Sequence, residues 1–230
     1  MSGPTCFGSL QVCATRAALL GTNGVPVAGA ANGYVSEALI TVNVGIELED
    51  GADIVKKNGC GRNCQNYQGA PQFKRANLGL ALCELDIQLG QLFVGGDLVP
   101  HAASGDYFGW QFPGGSDDQP SLCLEFWTKA WDGSAQATPD STGGNAAYWH
   151  WVFTKTSWSL DDMTAEDDFL EFAITGVGTE NPNLPAHGPF DDWPADLVAF
   201  GGFTKAGGIF LDDTLPTQTC EFIEVPAVVS

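Results

Sequence analysis

A chain of 230 residues that is 44% hydrophobic has the apolar material for a sizeable core, which excludes wholesale disorder. Its 28 acidic and 9 basic residues leave a net charge of −19, and a chain this acidic repels nucleic-acid phosphates, which excludes duplex binding as its task. No apolar run reaches the roughly eighteen residues of a membrane helix, so no membrane role is expected. Met1 to Leu10 lacks the basic segment and apolar stretch of a secretory signal, so folding in a cytoplasm is expected. Plentiful Gly (29) and Pro (13) favour many short strands joined by turns, and no linker or repeat divides the chain, so a mainly β single domain over residues 1–230 is predicted.

In chain order, the first strand is expected over Leu10 to Ala18, with Leu10, Val12 and Ala14 on one face. Gly21 to Pro26 has strong turn chemistry. Ala38 to Leu48 alternates cleanly, so its even-numbered apolar face should pack on the body and its odd face, with Glu47 and Glu49, should be wet. Asp50-Gly51 reads as a hairpin turn and Asp53 to Lys57 as the returning strand. Asn58 to Gln72 reads as a long polar loop. Leu78, Leu80 and Leu82 resume the alternation. Asp86 to Phe93 is the best short-helix candidate, with Asp86 as N-cap and Gly95-Gly96 as its stop. A Gly- and acid-rich loop is expected from Pro100 to Pro120. Strands follow over Leu122 to Trp131, Ala146 to Trp158 and Phe169 to Val177, then a helical turn over Asp196 to Phe200 and a last strand over Thr219 to Val225.

The basic residues are clustered: Lys56, Lys57, Arg62, Lys74 and Arg75 lie within twenty positions of one another. The bland reading of the charge is a solvated acidic surface. The sharper reading is a polar molecule whose basic patch docks on an acidic patch of its neighbour, with Arg62, Lys74 and Arg75 as the inter-subunit candidates. Seven cysteines, an odd number, argue against a full disulfide framework. Cys13, Cys83 and Cys123 fall in strand-like alternations as small hydrophobes. Cys60 and Cys64 lie in the polar loop, where free thiols, a disulfide or part of a metal site are all open readings; zinc would need more ligands than the chain places nearby.

Catalytic chemistry is sparse. His101, His150 and His187 are isolated, and no nucleophile elbow, phosphate loop or zinc motif occurs. The acid pairs Asp117-Asp118 and Glu166-Asp167-Asp168 are what a chain with 28 acids produces by chance, so the chain reads as not an enzyme and needing no cofactor. Asp161-Asp162, Asp191-Asp192 and Asp212-Asp213 are oxygen-rich spots that suit calcium, though none has the spacing of a known loop. Trp127 and Trp131 share the polar face of their strand with Cys123, Glu125 and Lys129, which suggests a half-exposed aromatic surface for protein or sugar.

The order and spacing of several segments carry a resemblance. They are Asn23-Gly24-Val25-Pro26-x-x-Gly29, Tyr34-Val35-Ser36, the long alternating strand, Gly51, Lys57-Asn58-Gly59-Cys60-Gly61, Leu78-x-Leu80-x-Leu82-Cys83-x-x-Asp86 and Leu89-x-x-Leu92-x-x-Gly95-Gly96. Over residues 10–100 the chain resembles the major tail protein of long-tailed bacteriophages, chiefly the siphophage type; residues 120–225 would complete the sheets. The resemblance implies a tail-tube-like β-sandwich or barrel with a long hairpin and one short flanking helix. It implies homohexameric rings stacked into a tail tube, assembled in the host cytoplasm and carried in the virion. Its partners would be other copies of itself, a tape measure protein, and tail terminator and distal tail proteins. DNA would pass at genome ejection without specific binding, and Glu47, Glu49 and Asp53 become the lumen-facing candidates. The loop from Asn58 to Gln72 would be ordered by the next ring, with Cys60–Cys64 as the candidate disulfide. The rivals are a Trp-rich β-sandwich that binds carbohydrate, with or without calcium, and a hydrolase.

Overall fold

The computed structural model describes residues 8–37, 39–82, 87–102, 106–114, 119–131, 148–161, 164–165, 170–217 and 220–227. The elements in order are β1 (Gly8–Leu20), β2 (Gly29–Ser36), β3 (Leu39–Glu49), β4 (Asp53–Lys57), β5 (Asn63–Gln68), β6 (Gln72–Leu82), α1 (Ile87–Val94), β7 (Asp97–Pro100) and β8 (Tyr107–Gln111). They continue with β9 (Ser121–Trp131), β10 (Tyr148–Leu160), β11 (Thr164–Ala165), β12 (Leu170–Thr179), α2 (Ala195–Ala199), β13 (Gly208–Asp212) and β14 (Glu221–Val225). The mainly β expectation holds. The candidate N-cap Asp86, with Cys6, Cys83, Asp117-Asp118, Asp162 and Glu166-Asp167-Asp168, lies outside the described residues.

Ten strands form one antiparallel sheet in the order β14-β2-β1-β9-β10-β12-β6-β3, with β11 on β12 and β13 on β10. The sheet forks at β10: Tyr148 to Val152 pair with β13, and Lys155 to Leu160 pair with β12. The central strands are buried on both faces, so their apolar residues need not alternate. On one face Leu122, Leu124, Phe126, Phe153, Leu78, Leu80 and Leu82 form the main core with α1, where Phe93 meets Trp158 at 5.2 Å between ring centres. On the other face Ala18, Leu20, Cys123 and Val152 are covered by Leu184 and Trp193 from the proline-rich segment after β12. Gly95 and Gly96 both adopt φ of 91°, the left-handed conformation that ends α1 at the expected place.

Three expectations are corrected here. Asp50-Gly51 is not a hairpin turn: β3 pairs with β6 over its whole length, because only an eleven-residue partner matches it, and the five-residue β4 pairs with β5 instead. The segment from Asn58 to Gln72 is not a loop: it holds the turn, β5 and the start of β6. Its strand escaped notice because β4 and β5 are exposed on both sides and carry no apolar alternation. The stretch Pro100 to Pro120 is not wholly a loop, since β8 returns along β7.

Candidate functional site

The chain between Leu39 and Leu82 forms one long hairpin arm. It runs out through β3 and β4 and back through β5 and β6. The two halves pinch where Gly51 meets Gly69; a Cβ on Gly51 would lie 2.2 Å from the Gly69 backbone, so only glycine fits there. At the tip, Asn58 Oδ1 accepts hydrogen bonds from the backbone N–H groups of Cys60 and Arg62, both at 3.0 Å, and Gly61 takes φ of 77°.

The arm's apolar face changes character along its length. At the base Val42 is half-buried against the core, and Leu39, brought to the same face by a register shift before Thr41, is buried, but Val44, Ile46 and Leu48 are 39%, 61% and 57% exposed. The expected packing of the even face on the body therefore holds only at the base and fails beyond it, because the arm outruns the sheet beneath. Ile54, Val55, Tyr67 and Phe73 extend the exposed apolar surface towards the tip. Beside it, Val44, Ile46 and Phe73 border an apolar cleft of about 390 Å³ shared with Trp151, Phe153 and Ile209. β3 is the last strand of the sheet, so one of its backbone edges has no hydrogen-bonded strand beside it among the described residues.

On the opposite face of the arm, Glu47 accepts hydrogen bonds from Lys74 (2.7 Å) and Arg75 (2.5 Å), and these bring its pKa down to about 2. Two of the three inter-subunit candidates thus find an acid within their own chain, whereas Arg62 stands exposed at the tip. Glu49 and Asp53 are exposed, on either side of the pinch. Cys60 and Cys64 are both exposed free thiols, and the Cys64 Sγ lies 3.3 Å from the Lys56 carbonyl.

A second polar assembly is buried beneath the proline-rich segment. Arg16 on β1 faces Glu125 on β9 directly across the ladder, with Nε 2.8 Å from Oε2. Its two terminal nitrogens donate to Asp192, and its guanidinium stacks 4.1 Å from the Phe190 ring centre. Glu125 also accepts from Trp193 Nε1 at 2.6 Å. His150 places Nδ1 3.1 Å from Asp212 and Nε2 3.3 Å from Glu125 Oε1, the latter without hydrogen-bond geometry, and stacks on Trp127. Burial works against the charge on both partners of the central pair. Glu125 and Asp192 together nevertheless raise the Arg16 pKa, and Arg16 and His150 together hold Glu125 at about 2. For Asp212 likewise, burial is the largest influence and raises the pKa, but the hydrogen bonds from His150 and Thr214 and the attraction of His150 together outweigh it and the net direction is down.

This network was missed in the sequence, although a signal was present: Arg16 is a lone cation in an apolar run, and Glu125 a lone acid between Leu124 and Phe126. It also corrects the half-exposed aromatic surface at Trp127, which is only 2% exposed; the Trp131 side chain lies outside the described residues. Two of the oxygen-rich spots are spent: Asp192 holds Arg16, and Asp212 serves His150 and Thr214. Every carboxylate of the network has a protein partner, so its chemistry is that of a clasp.

No protein-family model and no curated protein matches the sequence. A solved structure described as the six-fold symmetrised cryo-EM structure of the anti-feeding prophage baseplate is similar over 77% of this chain and 92% of that chain, at 10% identity and a TM-score of 0.31. At that TM-score the similarity carries no argument about fold or role.

Proposed function

We propose that this chain is a non-enzymatic structural subunit that assembles with copies of itself, as a phage tail tube protein does. The observation that carries this reading is the arm: a hairpin from Leu39 to Leu82 whose apolar face is uncovered at Val44, Ile46, Leu48 and Phe73. An exposed apolar ladder beside an unpaired strand edge is a liability in a lone monomer. Side-by-side association gives that edge a partner strand and the ladder a cover, and closure into a ring leaves no edge open.

Homohexameric rings stacked into a tube fit the charge as well. With a net charge of −19 the chain would repel DNA phosphates, so DNA would slide around or after a tape measure protein instead of binding. Of the lumen-facing candidates, Glu49 and Asp53 would carry that charge, because Glu47 is already matched by Lys74 and Arg75. Tail terminator and distal tail proteins would then cap the two ends in the virion. The test is sedimentation velocity with negative-stain microscopy on the purified chain over a concentration series. Rings or tubes with six-fold symmetry are the expected result, and Ile46→Asp with Leu48→Asp should abolish them. A chain that stays monomeric at the highest concentration overturns the proposal.

A further inference from the structure

The distribution of cations sets up the question. Of the nine basic residues, Arg16, Lys74, Arg75 and Lys205 hold carboxylates within the chain. Lys56, Lys57 and Arg62 do not: all three are exposed, at or beside the turn of the arm, and none has a carboxylate partner among the described residues. The arm beyond the pinch, Asp53 to Gln68, carries these three cations against the single acid Asp53, on a chain that is otherwise strongly acidic.

A site of opposite character lies at the far end of the fold. A cavity of about 470 Å³ opens where α1 ends, lined by Asn32, Gln91, Asp97, Gln111 and Phe112. No Lys, Arg or His lines it. Asp97 is exposed and has no cation partner among the described residues. The C-terminal end of α1 adds about half a negative charge, and the last turn of the helix has no basic residue to offset it. Phe112, 54% exposed and set edge-on to Trp110 at 4.9 Å, offers a ring face of the sort a Lys or Arg head covers. Amide side chains, one carboxylate, a helix C-terminus and an aromatic ring together suit a cation carried on a polypeptide.

Strand directions set the two features apart. Counting through the antiparallel pairs from β9 by way of β10, β12 and β6, β3 runs parallel to β9. β9 starts beside the cavity, after Pro120, so the arm leaves the body in the direction away from it. An arm at one end and a receptor at the other cannot close on each other within one chain, but they repeat head to tail between copies.

We infer that the basic tip of the arm, Lys56, Lys57 and Arg62, seats in the Asp97 cavity of a second copy and forms the longitudinal contact between successive subunits. This rests on the self-assembly reading and names the site that reading lacked. The lateral contact through β3 and the longitudinal contact through the tip are then separate surfaces with separate chemistry, one apolar and one ionic.

The test uses the chain's own Cys60 at the tip. Isotopically light and heavy copies carrying Gln111→Cys are mixed, allowed to assemble, and treated with a short bis-maleimide. The expected product is a mixed-isotope peptide joining Cys60, or the nearby Cys64, to the cysteine introduced at position 111. In parallel, Asp97→Lys and Lys56→Glu/Lys57→Glu/Arg62→Glu should each raise the concentration for half-assembly by about tenfold or more, since each charge reversal turns the attraction between tip and cavity into repulsion. Both variants should leave the monomer's melting curve unchanged, because every altered side chain is exposed. Assembly that proceeds with no such cross-link, or with Asp97→Lys behaving as the parent chain, overturns the tip site while self-assembly stands. A parent chain that never assembles overturns both.

Discussion

Arg16 and Glu47 are each held by two opposite charges, one of them directly across a β ladder, yet they sit at the two extremes of what an ion pair does. Arg16 is 4% exposed and ties β1 and β9 to the proline-rich segment through Glu125 and Asp192. Glu47 lies on the arm between Lys74 and Arg75, two side chains that are nearly half exposed. The first pair has lost its water, so removing one member strands a charge in the interior. The second keeps its water, so removing one member lets solvent take its place. The buried cluster is therefore part of what makes the body fold, and the arm's charges are free to be spent on a neighbour.

The strongest way to break this comparison is Arg16→Met. It leaves Glu125, fully buried, beside His150 and Trp193 without its cation, and a loss of ~3–5 kcal/mol in urea unfolding is expected. A loss below about 1 kcal/mol would put Arg16 in the same class as the exposed pairs. The next effect contrasts two positions on the same face of the hairpin. Leu80 pairs with Val42 at the base, is 4% exposed, and Leu80→Ala should cost ~2–4 kcal/mol. Ile46 lies further out at 61% exposed, and Ile46→Ala should change monomer stability by about 0.5 kcal/mol or less while weakening self-association. Equal losses at the two positions, read by urea denaturation, would mean that the arm packs on the body throughout.

How much of this was legible beforehand differs between the same two regions. The base of the arm was readable because Leu78, Leu80 and Leu82 alternate with the small residues Gly79 and Ala81 and are buried as that pattern requires. The distal arm was misread for a physical reason: β5, with Asn63, Gln65, Asn66 and Gln68, has water on both sides and no apolar period, so a strand there looks like a loop. The hairpin turn was put at Asp50-Gly51 because local turn chemistry outweighed strand length; Gly51 is needed instead for the close approach to Gly69. The body was misread in the opposite sense. The polar-face residues Glu125 and Trp127 looked half exposed because a second layer, which includes Trp193 68 positions after Glu125, cannot be seen in the period of one strand. Pairings such as Arg16 with Asp192 join positions 176 residues apart and have no local signature.

A smaller effect, in pH, sharpens the comparison further. Glu125 has a pKa of about 2 in the folded chain, against an ordinary value near 4.5. Between those values the unfolded chain binds the extra proton, so stability rises with pH across that window and is fully present above it. On acidification the contribution is lost from about pH 5 down to about pH 2. Glu125→Gln should flatten that limb by roughly 1–3 kcal/mol, with the remainder due to Asp212 and Glu47, whose pKa values are also lowered. Urea midpoints measured from pH 2 to pH 6 read this directly. A wild-type acid limb that survives intact in Glu125→Gln would assign it to other carboxylates.

The smallest effect expected on the monomer is at Glu47. Its pKa is also about 2, set by hydrogen bonds from Lys74 and Arg75, so its titration window nearly coincides with that of Glu125. The two carboxylates differ in what surrounds them, and the pH window alone does not separate them. Salt does. Screening acts on charges that face water and barely reaches a pair with 5% and 0% exposure. Glu47→Gln should therefore lower the melting temperature of the monomer only slightly at low salt, and at high salt should match the parent chain. Its mark should fall on association: with Glu47 neutral, Lys74 and Arg75 are released, and the salt dependence of self-assembly should change while the fold does not. If Glu47→Gln lowers the melting temperature as far as Arg16→Met does, at low salt and high, the arm is part of the folding unit. The charges along it would then be fixed by the chain's own stability and unavailable to a second copy.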